Sequence, residues 1–299
     1  MDYFSNIQKC VDYVDKHLDQ ELQIDEVIQQ AHMSKFHFHR LFKAIVGITI
    51  HEYIKRRKLN EAAEHLYHTN DNVLMTAILY GFHSQEVFTR NFKKLFGYPP
   101  AQFKRLNPSN WRANKTNKIN VDALRMDIKA FNGKVVSQEK IEYIRKLTLV
   151  GIERMTTNDE GSTVIEAMQN FICEAERIPH KVNETIYRLC YDIDQSEENQ
   201  EKPLYRELIA VAVTEVTQIP DGMTIKCIEA AKVITYLHKG KLFTKEQNKI
   251  IDTYQFLYRY RIPYAKYELT SELLLERYEA DFKGPYHDDS ILDISFSIK

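Results

Sequence analysis

The sequence is short of the residues that build covalent, metal or phosphate-binding frameworks. Its 299 residues include four cysteines, nine glycines, eight prolines and one tryptophan. Cys10, Cys173, Cys190 and Cys227 are scattered, with no Cys-x-x-Cys pair. Neither a disulfide framework nor a zinc knuckle is therefore expected, and a reducing cytoplasm fits. No Gly-x-Gly-x-x-Gly run offers a phosphate cradle. No apolar stretch approaches the ~18–20 residues that span a bilayer, so no membrane is expected. The opening MDYFSNIQKCVDYVDKH carries charges throughout, and a secretory signal is not expected. His65 and His68 lie three apart on a helical pattern with no ligand set around them, so no metal is expected. Cys190 and His238 have no motif that would make them nucleophile and base, and they read as a buried thiol and a strand histidine. No cofactor is expected.

What is present is ordinary globular composition, 43% hydrophobic and 28% charged, in a chain long enough for roughly two domains. The net charge of -1 hides an asymmetry. Residues 1–118 hold 17 Lys/Arg against 12 Asp/Glu, whereas 119–299 hold 24 against 30. Eight of the eleven histidines precede residue 84, and residues 87–118 contain no Asp or Glu. A basic half joined to an acidic half suits one part that binds a polyanion and another with a different task.

Residues 1–106 read as helical. Ile7, Val11, Val14 and Leu18 recur at helical spacing, and Asp25 reads as the N-cap of a short helix. Ser34 caps a helix that Gly47 ends, and a helix of about 18 residues follows. After the break at Asn70–Asn72 come a short helix near Leu74–Tyr80, a Ser84-capped helix ended by Gly97, and a last short helix from Pro99–Pro100. Residues 107–140 are polar and weakly periodic. They read as a linker, with a helix near Val121–Ala130. From 141 onward the pattern is α+β. Segments 141–155 and 225–239 read as strand pairs, and Thr163–Arg177 and Lys245–Tyr260 as helices. Further strands are expected around 185–194, 208–216, 267–282 and 291–299.

Two repeats organise the chain. At an offset of 50, Ser34, Phe38, Arg40, Phe42, Lys43 and Gly47 match Ser84, Phe88, Arg90, Phe92, Lys93 and Gly97 identically. A repeated short helix, turn, Ser cap and second helix is a duplicated helix-turn-helix. In the first unit Phe38, Leu41, Phe42 and Ile45 face inward, leaving Phe36, His39, Arg40 and Lys43 as the outer stripe, with Lys35 at its start. In the second, Phe88, Phe92 and Leu95 face inward and Glu86, Thr89, Arg90 and Lys93 outward, with Gln85 beside them. A basic, hydrogen-bonding stripe at the start of such a helix suits a major groove. At an offset of 84, Ile141, Ile144, Leu149 and Val150 align with Ile225, Ile228, Val233 and Ile234, so the second half is also duplicated, as strand-helix-strand halves.

The stretch from Gly81 to Arg105 resembles the signature of AraC/XylS-type transcription regulators. Gly81, Phe82, Ser84, Phe88, Arg90, Phe92, Lys93, Gly97, Pro100 and Arg105 carry it, with Phe103 where Tyr is commoner. The resemblance implies an all-α double helix-turn-helix domain over 1–106 reading two adjacent major-groove faces, with double-stranded DNA and RNA polymerase as partners. The remainder resembles the GyrI-like (BmrR-type) effector-binding domain. Pro220, Gly222, the strand AKVITYLHKGKL, the helix DTYQFLYRYRIPY and the strand LLLERYEADF carry that likeness. DNA-binding module first and effector module second is a Rob-like order. The resemblance implies a small organic effector and places an acidic residue, here Glu276, in its pocket.

Eleven of the eighteen tyrosines lie from residue 187 onward. Glu276 and Tyr278 share a strand face by alternation, and Tyr191, Tyr236 and Tyr258 are the further candidates. A buried carboxylate among aromatic rings favours a lipophilic cation. For a neutral or anionic effector, Arg188 and Lys232 are the polar residues of interest. The expected protein is thus multidomain, with a linker over 107–140 and an effector domain over 141–299. Its expected function is DNA-binding transcription regulation modulated by a small molecule, without a covalent step. The alternatives are a GyrI-like hydrolase fused to a DNA-binding domain, and a DNA-bending protein without a ligand.

Overall fold

Ser34 and Ser84 do the same job at equivalent places. Each extended-backbone serine accepts a hydrogen bond from the amide three residues on, His37 at 3.4 Å and Val87 at 3.1 Å. Each capped helix ends at a glycine in the left-handed region, Gly47 at φ +89° and Gly97 at φ +84°, a conformation that side chains with a Cβ adopt only under strain. The computed structural model describes residues 2–20, 22–106, 108, 111–124, 136–156, 161–194, 204–244 and 249–299. The chain divides into two units, Asp2–Arg125 and the remainder from Met126.

Among the described residues seven α-helices form the first unit: α1 (Tyr3–Lys16), α2 (Ile24–Gln29), α3 (Lys35–Val46), α4 (Ile50–His68), α5 (Val73–Leu79), α6 (Gln85–Phe96) and α7 (Pro100–Leu106). The helix α2 begins one residue before Asp25. That residue sits in its first turn and pairs with Lys35 at 2.5 Å instead of capping. Ile7, Val11, Val14, Phe38, Leu41, Phe42 and Ile45 are all buried, as their spacing predicts. In the second half of the unit Phe88, Phe92, Phe96 and Phe103 pack ring on ring with centroids 4.7–6.0 Å apart.

The segment read as a linker is in large part structure. Trp111 is 3% exposed and lies against Phe96 and Phe103. The Thr116 carbonyl accepts from Arg57 Nη1 (3.0 Å) and Asn60 Nδ2 (2.7 Å) on α4. Val121 is fully buried, and its amide donates to Gln8 Oε1 on α1 at 2.7 Å. This strap therefore crosses from the α6–α7 core over α4 to α1. A short 3₁₀ turn at Asp122–Leu124 stands where the longer helix is expected, and residues 125–135 of that segment lie outside the described residues.

Among the described residues the second unit is one eight-stranded antiparallel sheet with two α-helices. The strands are β1 (Val136–Ile144), β2 (Leu147–Thr156), β3 (Lys181–Asp194), β4 (Leu204–Val213), β5 (Thr224–Ile228), β6 (Ala231–Lys239), β7 (Leu269–Tyr278) and β8 (Ile291–Ile298), and the helices α8 (Gly161–Glu174) and α9 (Lys249–Phe256). Their order is β1-β6-β8-β7-β3-β4-β2-β5. Exchanging the first four strands with the last four reproduces that order reversed, as an approximate twofold axis between β3 and β7 requires. The β1–β6 and β2–β5 ladders share one register, Ile144 facing Ala231 and Leu147 facing Ile228, continued across two-residue joints. Each pair of consecutive strands is thus one long bent strand, and the sheet curls on itself. One face of the curl holds a core of Leu149, Leu189, Leu208, Ala210, Val233 and Leu275. At Gly151 a Cβ would collide with the Ile209 carbonyl and with Ala210, so only glycine lets β2 and β4 come this close. Among the described residues no helix is long and apolar enough to cross a membrane.

Candidate nucleic-acid interface and effector site

In the second helix-turn-helix unit the expected outer stripe is outside. Gln85, Glu86, Arg90 and Lys93 are exposed and Thr89 is half-buried, and the five line one shallow, open depression on α6. Among the described residues neither Arg90 nor Lys93 is held in an ion pair. Their charges are available to a phosphate backbone or a base edge.

The first unit differs. Lys35 and Lys43 are exposed and Arg40 is half-buried, but Phe36 and His39 are 9% and 5% exposed. Helical spacing placed these two on the outer stripe, and packing on both flanks of α3 overrides it. The His39 ring stacks on His51 of α4 at 5.9 Å, and the Arg40 guanidinium lies 4.5 Å from the Phe36 ring centroid. Phe36 is therefore a platform that orients Arg40, and the surface that α3 offers is Lys35, Arg40 and Lys43. The 19-residue α4 joins the two units and at 1.5 Å per residue spans ~28 Å, close to one DNA turn of ~34 Å. His65 on this helix meets Asp71 at 2.7 Å, and among the described residues no three His, Cys, Asp or Glu side chains gather to hold a metal.

In the second unit Glu276 is 1% exposed and central. Along one row of the sheet Tyr236 on β6 faces Ile294 on β8, Ile294 faces Glu276 on β7, and Glu276 faces Arg188 on β3. Arg188 donates from Nη1 to Glu276 Oε1 at 2.7 Å and from Nε to Glu207. Arg154 donates to the other oxygen of Glu207 at 2.5 Å. The Tyr254 hydroxyl, from α9, donates to Glu276 Oε1, and the Tyr278 hydroxyl to Oε2, both at 2.5 Å. Burial opposes the charge on Arg188, but the surrounding anionic groups, Glu207 and Glu276 among them, outweigh it and hold its pKa well above the usual arginine value. Burial likewise works against Glu207, and Arg188 and Arg154 reverse it, keeping that carboxyl below the usual range. Tyr278 is pushed well above its ordinary value, first by burial and then by Glu276.

The structure thus brings Glu276 and Tyr278 together, as alternation predicts, and adds Tyr254, Arg188 and Glu207. Tyr236 and Tyr258 stand on the same face around Phe296, at 6.1 and 5.6 Å. Tyr191 does not join them. It lies on the opposite face, donating to Glu153 beneath the Lys226 ammonium, which sits 4.2 Å from the ring centroid. Lys232 lies over Tyr267 at 5.6 Å. Cys190 and His238 are buried, and His238 Nδ1 meets Thr253 of α9 at 2.7 Å. The buried carboxylate expected among aromatic rings is there, and Arg188 of the same chain pairs with it. Register across β3 and β7, which local patterning does not reveal, sets a guanidinium directly opposite.

Two serine-capped helix-turn-helix units on one connecting helix, followed by a duplicated α+β unit, define a double-headed helix-turn-helix protein with a second, separately folded module. The matching family models are a helix-turn-helix domain at residues 27–106 and a GyrI-like small molecule binding domain at 138–299, more than half of the chain. The chain belongs to the AraC-type helix-turn-helix proteins and carries a C-terminal domain of the GyrI-like family. Among its relatives is the multiple antibiotic resistance protein MarA of Escherichia coli K12, 35% identical over 101 residues, which are 34% of this chain and 80% of MarA. The HTH-type transcriptional regulator YbfP of Bacillus subtilis 168 is 36% identical over 104 residues, 35% of each chain. The transcriptional regulator Rob of Salmonella typhimurium is 40% identical over 113 residues, 38% of each. The likeness thus spans little more than a third of the length of YbfP and of Rob.

Proposed function

We propose that this chain is a ligand-modulated transcription regulator. The helical unit binds double-stranded DNA, with α6 presenting Gln85, Glu86, Thr89, Arg90 and Lys93 to one major groove and α3 presenting Lys35, Arg40 and Lys43 to the next. The GyrI-like unit takes a small organic effector beside Glu276, Tyr278, Tyr236 and Tyr258, and its occupancy changes operator affinity. RNA polymerase is the natural partner of a regulator so built, and the cytoplasm its place of action. The observation that carries this reading is the duplication itself. Two equivalent capped helices, each with a basic edge, sit on one rigid helix in the same chain as a small-molecule-binding fold. The hydrolase alternative needs a carboxylate able to take a proton from water. Both oxygens of Glu276 already accept hydrogen bonds, so binding is favoured.

The test is operator affinity by fluorescence anisotropy, on a duplex selected from a random pool, with and without a small-molecule library. At least one compound that binds the C-terminal unit should shift the affinity several-fold. Operator binding indifferent to every compound that binds would leave a DNA-binding protein without effector control.

A further inference from the structure

The buried cluster under α9 is charge-balanced by its own residues. Arg154 and Arg188 face Glu207 and Glu276, and every oxygen of the two carboxylates is engaged. A carboxylate framed by tyrosines is the setting in which an organic cation gains both charge pairing and ring contact. Here the chain supplies that cation itself. Arg188 is 8% exposed and lies directly opposite Glu276 in the β3–β7 ladder, so backbone register fixes its place. A second cation brought to Glu276 would sit against the Arg188 charge in a medium that screens poorly. Displacing Arg188 instead would strip the buried Glu207 of one of its two guanidinium partners.

We propose that Arg188 sets the charge class of the effector: it holds the cation's place against Glu276, so this domain takes uncharged organic ligands and refuses organic cations. The proposal rests on the reading of the C-terminal unit as an effector module, and it makes Arg188 a specificity-determining residue of that module. Truncating Arg188 while keeping Glu276 turns the same aromatic carboxylate into a cation site.

The experiment is calorimetric titration of the full chain with methyltriphenylphosphonium and with its uncharged counterpart triphenylphosphine oxide. Wild type is compared with Arg188→Met, Arg188→Lys and Arg188→Met/Glu276→Gln. Arg188→Met should bind the cation at least tenfold more tightly than wild type. The gain should vanish when Glu276→Gln is added, and Arg188→Lys, which keeps the charge, should stay within threefold of wild type. The oxide should gain no affinity in Arg188→Met, which separates a change in charge preference from a change in packing. Equal cation affinity in wild type and Arg188→Met, or a gain that survives the loss of Glu276, overturns the proposal. If Arg188→Met does not fold by circular dichroism, Arg188→Met/Glu207→Gln removes one buried charge of each sign and meets the same criteria. Operator affinity and its response to other compounds are measured separately, so failure here is distinguishable from failure of the effector-module reading.

Discussion

Arg188 and Glu276 face each other across the central strand pair, 88 residues apart, the same interval that separates Lys181 and Leu269, the first residues of their strands. The ion pair therefore sits on the approximate twofold axis of the duplicated unit, where two equivalent positions carry opposite charges. A buried pair of this kind adds little net stability when intact, but removing one partner strands the other. Glu276→Gln and Arg188→Met should each destabilise the C-terminal unit by about 3–5 kcal/mol. The double variant should cost less than the sum by about 1–3 kcal/mol. Urea unfolding of the four proteins checks this, and additive losses would show that the pair is not coupled.

On the DNA side, Arg90 is exposed with its charge available, whereas Arg40 is held over Phe36. Arg90→Ala should relax base preference in one half of the selected site only, by about 1–3 kcal/mol of discrimination. Lys93→Ala should weaken binding to all sequences alike and lower the salt slope by about one. Phe36→Ala should act on the other half of the site, through Arg40. Selection from randomised duplexes reads the first and the third and a salt titration of affinity the second, and an unchanged motif in Arg90→Ala contradicts the placement of α6.

The strap over residues 111–124 belongs to the DNA-binding unit. Trp111→Ala empties a buried aromatic site and should cost about 3–5 kcal/mol. A fragment of residues 1–125 should melt well above one of residues 1–106, which lacks Trp111, Val121 and the Thr116 carbonyl that Arg57 and Asn60 share. Equal melting temperatures would make the strap a passenger.

His39 and His51 give that unit a pH dependence. Burial, then the charge of His51 and of Lys35, lowers the pKa of His39 to about 3. Burial, then Lys55, lowers that of His51 to about 4. Both rings are neutral in the folded state, while unfolded histidines take up protons near pH 6.5. Their contribution is thus complete above pH ~6.5 and is lost as pH falls toward the folded values. Nearly two protons are taken up on unfolding around pH 5, a slope of at most about 2.5 kcal/mol per pH unit. Urea midpoints of the 1–125 fragment between pH 7 and 5 should show this fall, and His39→Gln/His51→Gln should flatten it.

Much of the architecture was legible because it repeats. Identity at an offset of 50 exposed both helix-turn-helix units, and the offset of 84 exposed the duplicated sheet that the shared register of β1–β6 and β2–β5 displays. Alternation correctly placed Glu276 beside Tyr278. What stayed hidden depended on contacts between distant segments. No local pattern tells that Arg188 faces Glu276, that Tyr191 points to the other side of the sheet, or that α4 covers His39. Trp111 and Val121 are single apolar anchors in a polar run, so they leave no periodicity to read. Tyr254 lies in a helix that apolar spacing predicts, but its reach to Glu276 follows from how α9 lies on the sheet.

The helical unit is proposed to read DNA sequence through two equivalent helices on one connecting helix. Selection from a randomised duplex pool by the full chain tests it most directly. The expected result is an enriched motif of two elements about one helical turn apart, with binding that weakens steeply as salt rises. A pool that emerges unenriched, or a single element insensitive to Arg90→Ala, would contradict it.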